Sequence, residues 1–243
     1  MTVLQGLLIP FLGTSLGAAF VFLLRRDFSP RLTSPLYGFA GGVMTAASIW
    51  SLLLPAIESA TAMGTAALFA AMGGFLLGGA SLLLLDRLLP EGEEGSQLFW
   101  AVTIHNVPEG MAIGVVLAAF LSGSEGVTAM GALSLAIGVA VQNVPEGAVI
   151  SLPLHAKGLP RARAFLRGVL SGAVEPVAGA AALLAASLVT PILPFLLSYA
   201  AGCMIYVVVK ELVPAACGEK GYWGAALFFA GFTVMMVLDV TMG

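Results

Sequence analysis

The sequence predicts an all-α integral membrane protein with eight transmembrane helices. Three observations carry that expectation. Of 243 residues, 59% are hydrophobic and only 9% are charged, where an average soluble domain carries about 25% charged residues. The mean hydropathy is +1.03, which a water-facing surface does not sustain. The apolar residues also fall into runs of the roughly 20 residues that a bilayer crossing needs. The same figures exclude other classes. A net charge of −3 and an isoelectric point near 5.3 leave no basic face for nucleic acid. Two cysteines make neither a disulfide framework nor a four-cysteine zinc site.

The spans are expected at about residues 3–24, 35–58, 62–87, 97–122, 126–155, 163–188, 191–214 and 221–241. Spans 1 to 3 rest on the uncharged runs Val3–Leu24, Leu36–Ile57 and Ala62–Leu85. Spans 4 and 5 are as apolar, apart from His105, Glu109 and Glu146. The run Gly168–Val209 is too long for one crossing and holds one charge, Glu175. Pro191 and Pro194 divide it into spans 6 and 7, because proline is poorly tolerated inside a helix. Tyr222–Leu238 forms span 8. The loops are short, so residues 1–243 read as a single transmembrane domain. Without a basic flank or cleavage site, the first apolar run is expected to be a retained span.

Eight spans place all ten basic residues on one side. Arg25, Arg26 and Arg31 follow span 1, and Arg87 follows span 3. Lys157, Arg161, Arg163 and Arg167 join spans 5 and 6, and Lys210 and Lys220 flank the end of span 7. The positive-inside rule makes that side cytoplasmic and both termini extracytoplasmic, in a plasma (inner) membrane.

Two internal matches stand out. His105-Asn106-Val107-Pro108-Glu109-Gly110 in span 4 repeats as Gln142-Asn143-Val144-Pro145-Glu146-Gly147 in span 5. In span 2, Phe39–Met44 resembles Tyr199–Met204 in span 7, and Leu54-Pro55-Ala56 and Val213-Pro214-Ala215 follow at nearly equal distances. Matched spans run in opposite directions, and inverted repeats are a transporter signature.

The repeated hexapeptide carries the chemistry. An ionisable group at the bilayer centre costs at least about 2.5–3.5 kcal/mol on insertion scales. His105, Glu109, Glu146 and Glu175 lie well inside their spans, with no Lys or Arg at matching depth. Three such carboxylates must be protonated or share a cation. His105 and Glu109 are one turn apart on one helix face, and Gln142 and Glu146 repeat the geometry. Asn106 and Asn143 sit one residue on, rotated by about 100°. Pro108, Pro145 and Pro176 free the carbonyls of Ile104, Val141 and Gly172, which is tolerated where backbone lines a cavity. Imidazole, carboxylates and amides together suit Zn2+, Cd2+, Fe2+ or Mn2+. A proton relay and a packing network are the alternatives to a metal path.

These motifs resemble those of the ZIP (Zrt/Irt-like) metal transporters. Residues 105–110, 142–147 and Ser171–Pro176 look like that family's spans 4, 5 and 6, most closely its GufA-like branch. Gly42–Ser48 and Leu54–Glu58 look like the branch's span 2. The resemblance covers essentially the whole chain. It implies a 3+2+3 arrangement, with helices 1–3 and 6–8 as inverted repeats around helices 4 and 5. It also implies a homodimer, uptake of divalent metal toward the cytoplasm, and an elevator motion of spans 1, 4, 5 and 6 against spans 2, 3, 7 and 8. Mapped onto this chain, one site uses His105, Glu109, Gln142 and Glu146, with Met44 nearby. An adjacent site of a binuclear centre uses Asn106, Asn143 and Glu175 and shares Glu109 and Glu146. Asn143 stands where some relatives have Asp, which removes one charge. The usual long, His-rich loop between spans 3 and 4 is reduced to Pro90–Ser96, with Glu91, Glu93 and Glu94.

Further candidates line the expected path. Ser51 and Glu58 lie toward the outer face, with Asp239 at a similar level. Asp86, Glu211 and His155 lie toward the inner face, where pairing of Glu211 with Lys210 and an ordinary loop role for His155 are the alternatives. Four pairs, Gly13/Gly17, Gly74/Gly78, Gly110/Gly114 and Gly168/Gly172, have the spacing of close helix contacts. No His-Glu-x-x-His run and no Walker loop occur, so a metalloprotease and direct ATP drive are not expected. Neither are an enzyme activity, an organic cofactor or a nucleic-acid partner. The expected partners are the metal ion, the lipid bilayer and a second copy of the chain.

Overall fold

The apolar runs fold as helices because a bilayer leaves backbone N–H and C=O groups no other partner. The computed structural model describes residues 2–23, 30–88, 96–123, 128–156, 158–218 and 222–242. The side chains of Arg25, Arg26, Arg31, His105, Lys157 and Lys220 lie outside the described residues, as does most of the acidic loop with Glu91, Glu93 and Glu94. Span 1 is α1 (Val3–Leu23). Span 2 is α2 (Pro30–Ala47), a π-helical segment (Ser48–Leu53) and α3 (Leu54–Met63). Spans 3, 4 and 5 are α4 (Thr65–Leu88), α5 (Ser96–Leu121) and α6 (Ala129–Ala156). Span 6 is α7 (Arg161–Gly172) and α8 (Val174–Leu184). Span 7 comprises α9 (Ala186–Val189), a 3-10 turn (Thr190–Ile192), α10 (Leu193–Val207), a second π segment (Val208–Leu212) and α11 (Val213–Cys217). Span 8 is α12 (Tyr222–Met242).

Two details differ from the sequence expectation. Among the described residues seven helical stretches, not eight, are long and apolar enough to cross a membrane. Span 6 is interrupted at Ala173, whose N–H turns back to the carbonyls of Val169 and Leu170. Pro176 has no N–H for the carbonyl of Gly172, so the ladder stops there. The boundary between spans 6 and 7 also falls at Ala185, ahead of Pro191 and Pro194. Those prolines open the 3-10 turn and α10, where a missing N–H costs nothing.

The two π segments have a common cause. Each is followed by a helix with proline at its second position, Pro55 or Pro214. The ring removes a donor and crowds the preceding turn, and the backbone widens by one residue. Leu54 N–H reaches back to Ile49 and Val213 N–H to Val208.

Packing is pairwise: span 1 on span 5, span 2 on span 8, span 3 on span 7, and span 4 on span 6. Glycines set the closeness. A Cβ on Gly42 would stand 1.9 Å from the Phe228 carbonyl oxygen, and one on Gly202 2.1 Å from that of Phe75. Gly231 meets Phe39 and Gly78 meets Tyr199 in the same way, at 2.2 and 2.1 Å. Phe39/Gly42 and Tyr199/Gly202 match in span, as do Phe75/Gly78 and Phe228/Gly231. The contacts of spans 2 and 8 therefore recur, residue for residue, between spans 7 and 3. Gly110 against the Glu175 oxygen (2.3 Å) and Gly147 against that of Thr14 (2.0 Å) repeat the relation for spans 4·6 and 5·1. All four glycine pairs noted in the sequence have members at such helix crossings.

Candidate metal centre

Spans 1, 4, 5 and 6 enclose a polar centre in a largely apolar interior. Asn106, Asn143 and Glu146 are 0% exposed, Glu109 and Gln142 1%, and Glu175 2%. The hexapeptide repeat puts Asn106 and Glu109 on α5 and their counterparts Asn143 and Glu146 on α6. The break before α8 brings Glu175 to the same place, in the first turn of that helix. Gly110 lets α5 approach the Glu175 backbone, which carries the carboxylate into the centre.

In the centre's hydrogen bonds among the described residues, amide nitrogens and a hydroxyl donate, and carboxylates and two backbone carbonyls accept. Gln142 Nε2 donates to Glu109 Oε1 at 2.8 Å. Asn143 Nδ2 donates to Glu175 Oε2 at 2.7 Å and to the Pro10 carbonyl at 3.3 Å. Asn106 Nδ2 donates to Glu175 Oε1 at 3.2 Å and to the Ser171 carbonyl at 3.1 Å. Thr14 Oγ1 donates to Glu175 Oε1 at 3.1 Å. The three carboxylates lie within Coulombic reach of one another. Four buried acceptors have no donor among the described residues: Asn106 Oδ1, Gln142 Oε1, Asn143 Oδ1 and Glu109 Oε2. Buried polar atoms are normally satisfied, and open oxygens around carboxylates are what a cation takes up. Among the described residues no three His, Cys, Asp or Glu side chains alone form a metal cage; carboxylates interleaved with amides are what converge.

The sequence candidates thus divide. Asn106, Glu109, Gln142, Asn143, Glu146 and Glu175 meet in one centre. His105 is placed on α5, its imidazole outside the described residues. Met44 is buried in the apolar cluster with Met204 and Val149, against which Ile104 and Ala112 pack. The outer and inner candidates lie elsewhere. Ser51 Oγ donates to Asp239 Oδ1 at 2.7 Å, and Glu58 is exposed. Asp86 accepts from Tyr206 Oη and pairs with Lys210, so it is Asp86 and not Glu211 that this lysine reaches. Glu211 is half-buried in the second π segment. His155 Nδ1 donates to the Leu159 carbonyl at 2.8 Å, and Arg161 Nε donates to His155 Nε2 at 3.4 Å. Both ring nitrogens therefore serve the α6–α7 turn. Thr14 is the member the sequence did not flag; its signal was the Gly13/Gly17 pair, which holds α1 against the carbonyls of Ala140 and Val144.

Comparison with known proteins decides the family. Residues 94–239 match the sequence profile of the family described as ZIP Zinc transporter. The chain belongs to the ZIP family. Similar members include the human zinc transporter ZIP11, 34% identical over 95% of this chain and 94% of its own length. Zinc transporter GufA of Myxococcus xanthus is 36% identical over 95% and 94%. Zinc transporter ZIPB of Bordetella bronchiseptica is 36% identical over 96% and 79%. The GufA-like resemblance of the hexapeptides is thereby borne out. The chain is a multi-pass, all-helical membrane ZIP protein.

Proposed function

We propose that this ZIP protein carries Zn2+, or the similar ions Cd2+, Fe2+ and Mn2+, across the plasma (inner) membrane toward the cytoplasm. The ion sits at a midplane site between spans 4, 5 and 6, on His105, Glu109, Gln142 and Glu146, with Asn106, Asn143 and Glu175 beside it and Met44 nearby. The observation that carries this reading is the buried centre in which three open amide oxygens and one open carboxylate oxygen of Glu109 lie among three carboxylates. The zinc named for the relatives gives the ion its first candidate.

The arrangement is read as 3+2+3, spans 1–3 and 6–8 being inverted repeats around spans 4 and 5. The recurring glycine contacts and paired π segments support it. Transport follows an elevator motion of spans 1, 4, 5 and 6 against spans 2, 3, 7 and 8. The glycine-to-backbone contacts between spans support that division, since each joins spans of the same group. The protein acts as a single transmembrane unit within a homodimer, its termini outside the cytoplasm, and uses no ATP and no organic cofactor.

Glu146→Ala tests the site. In proteoliposomes it should abolish zinc uptake while the protein keeps its helical content and its elution volume. Uptake equal to that of the parent would refute the reading.

A further inference from the structure

Among the described residues Glu175 accepts three hydrogen bonds, all from neutral donors. Oε1 accepts from the Thr14 hydroxyl and from Asn106 Nδ2, at 3.1 and 3.2 Å. Oε2 accepts from Asn143 Nδ2 at 2.7 Å. These donors come from α1, α5 and α6 and close on a carboxylate that is 2% exposed. Both lone pairs of Oε1 are used, and at most one remains on Oε2, so the group cannot bind an ion bidentately without breaking that shell. Hydrogen bonds to a carboxylate are the strong kind.

The amides show the complementary pattern. Asn106, Gln142 and Asn143 each give their nitrogen to a carboxylate, and each leaves its oxygen buried without a donor among the described residues. An amide tied through nitrogen to an anion is fixed in orientation, and its oxygen is polarised toward greater negative charge. This is the relation of an outer partner to a metal ligand.

On the transport reading given above, we propose that Glu175 is a positioning carboxylate rather than a ligand of the transported ion. Through Asn106 and Asn143 it holds two amide oxygens open for the cargo, with Thr14 steadying it from span 1. The centre then loads one divalent ion per chain. The adjacent ion expected around Glu175 is absent, because its place is taken by the nitrogen ends of both asparagines.

Purified full-length protein in detergent, dialysed against Cd2+, provides the test, with bound cadmium counted per chain and its NMR shift recorded. The parent is expected to bind one ion. Glu175→Gln keeps the shape and loses part of the acceptor capacity. It should still bind one ion, about 10- to 100-fold more weakly, as for loss of an outer-shell partner. Its cadmium shift should match the parent's, since the directly bonded atoms are unchanged. Two ions in the parent, a lower count in Glu175→Gln, or a shift change marking a lost oxygen ligand would overturn the positioning role alone. No ion bound by the parent would overturn the transport site with it. Should Glu175→Gln fail to fold, Thr14→Val removes one donor only. It is expected to weaken cadmium binding with count, shift and melting temperature preserved, and unchanged affinity would overturn the proposal.

Discussion

Spans 1, 4, 5 and 6 differ from spans 2, 3, 7 and 8 less in how they are held than in where they keep their polar groups. Each group is locked internally by glycines against backbone, such as Gly17 on Val144 and Gly110 on Glu175 in the first, Gly42 on Phe228 and Gly78 on Tyr199 in the second. The first group keeps its amides and carboxylates in its middle. The second keeps its carboxylate contacts toward its ends, Ser51 with Asp239 and Asp86 with Lys210 and Tyr206. Where the groups meet, the contact is apolar: Met44, Met204 and Val207 with Val149, Ile104 and Ala112. The side-chain hydrogen bonds described between spans all stay within one group. The carboxylates and amides of the proposed site therefore belong to one body, and among the described residues none of these side-chain hydrogen bonds joins that body to its neighbour. This is the mechanical requirement of the proposed elevator motion.

The largest expected effect comes from breaking either lock. A Cβ on Gly147 would stand 2.0 Å from the Thr14 oxygen, and one on Gly42 1.9 Å from that of Phe228. Overpacking a core costs about 1–3 kcal/mol even where side chains can yield, and here the obstacle is backbone. Gly147→Val and Gly42→Val should both fail to give a monodisperse protein on size exclusion. Gly73→Ala, with nothing within 4 Å, should elute as the parent does. A folded, transporting Gly147→Val would show that the glycine lock does not hold the carrying group together.

Acid should act on the carrying group alone. Ligand carboxylates and imidazole must lose their protons to take an ion. Cadmium affinity is expected to fall on going from about pH 7 to about pH 5, by about tenfold per unit wherever one proton leaves for each ion bound. Stability comes largely from apolar packing, so the melting temperature of the metal-free protein should move far less. Flat affinity across this range would count against the ligand set.

The two groups were also unequally legible in the sequence. Each of Glu109, Glu146 and Glu175 costs at least about 2.5–3.5 kcal/mol in the bilayer, so in so apolar a chain they could not be incidental, and they do meet in one centre. Thr14 carries no such cost, and nothing but the approach of α1 to α6 at Gly13 and Gly17 brings it to Glu175. Pro176 foretold a free carbonyl at Gly172, but whether a helix bends or stops there depends on its neighbours, and α7 stops. The Tyr206–Asp86–Lys210 cluster joins spans 3 and 7, a pairing that spacing within either span does not contain.

The apolar seam between the groups can be tested by filling it. Val149 is 1% exposed within the cluster that holds Met44 and Met204. Val149→Phe adds bulk at the seam without altering a carboxylate or amide of the centre, at a stability cost of about 1–3 kcal/mol. Cadmium binding should stay close to the parent's while zinc uptake into proteoliposomes falls. Equal loss of both would mean that this residue shapes the site rather than the seam.

The smallest effects are expected at the ends of the second group, where equivalent carboxylates have different partners. Asp86 and Asp239 occupy matching places in spans 3 and 8, beside the π segments of spans 7 and 2. Asp86 meets an ammonium and a phenol, Asp239 a hydroxyl at 2.7 Å. A part-buried hydrogen bond from a neutral donor contributes about 0.5–1.5 kcal/mol, whereas an exposed ion pair is worth about 0–1 kcal/mol. Lys210 is 40% exposed and Asp86 16%, so solvent screens their attraction, and Tyr206 still serves Asp86 when the lysine is gone. Ser51→Ala, which leaves Asp239 Oδ1 without that hydroxyl, should therefore lower the melting temperature at least as much as Lys210→Met. A clearly larger loss in Lys210→Met would mean that the Asp86 end is held by charge, and that the two matched carboxylates differ in kind rather than in degree.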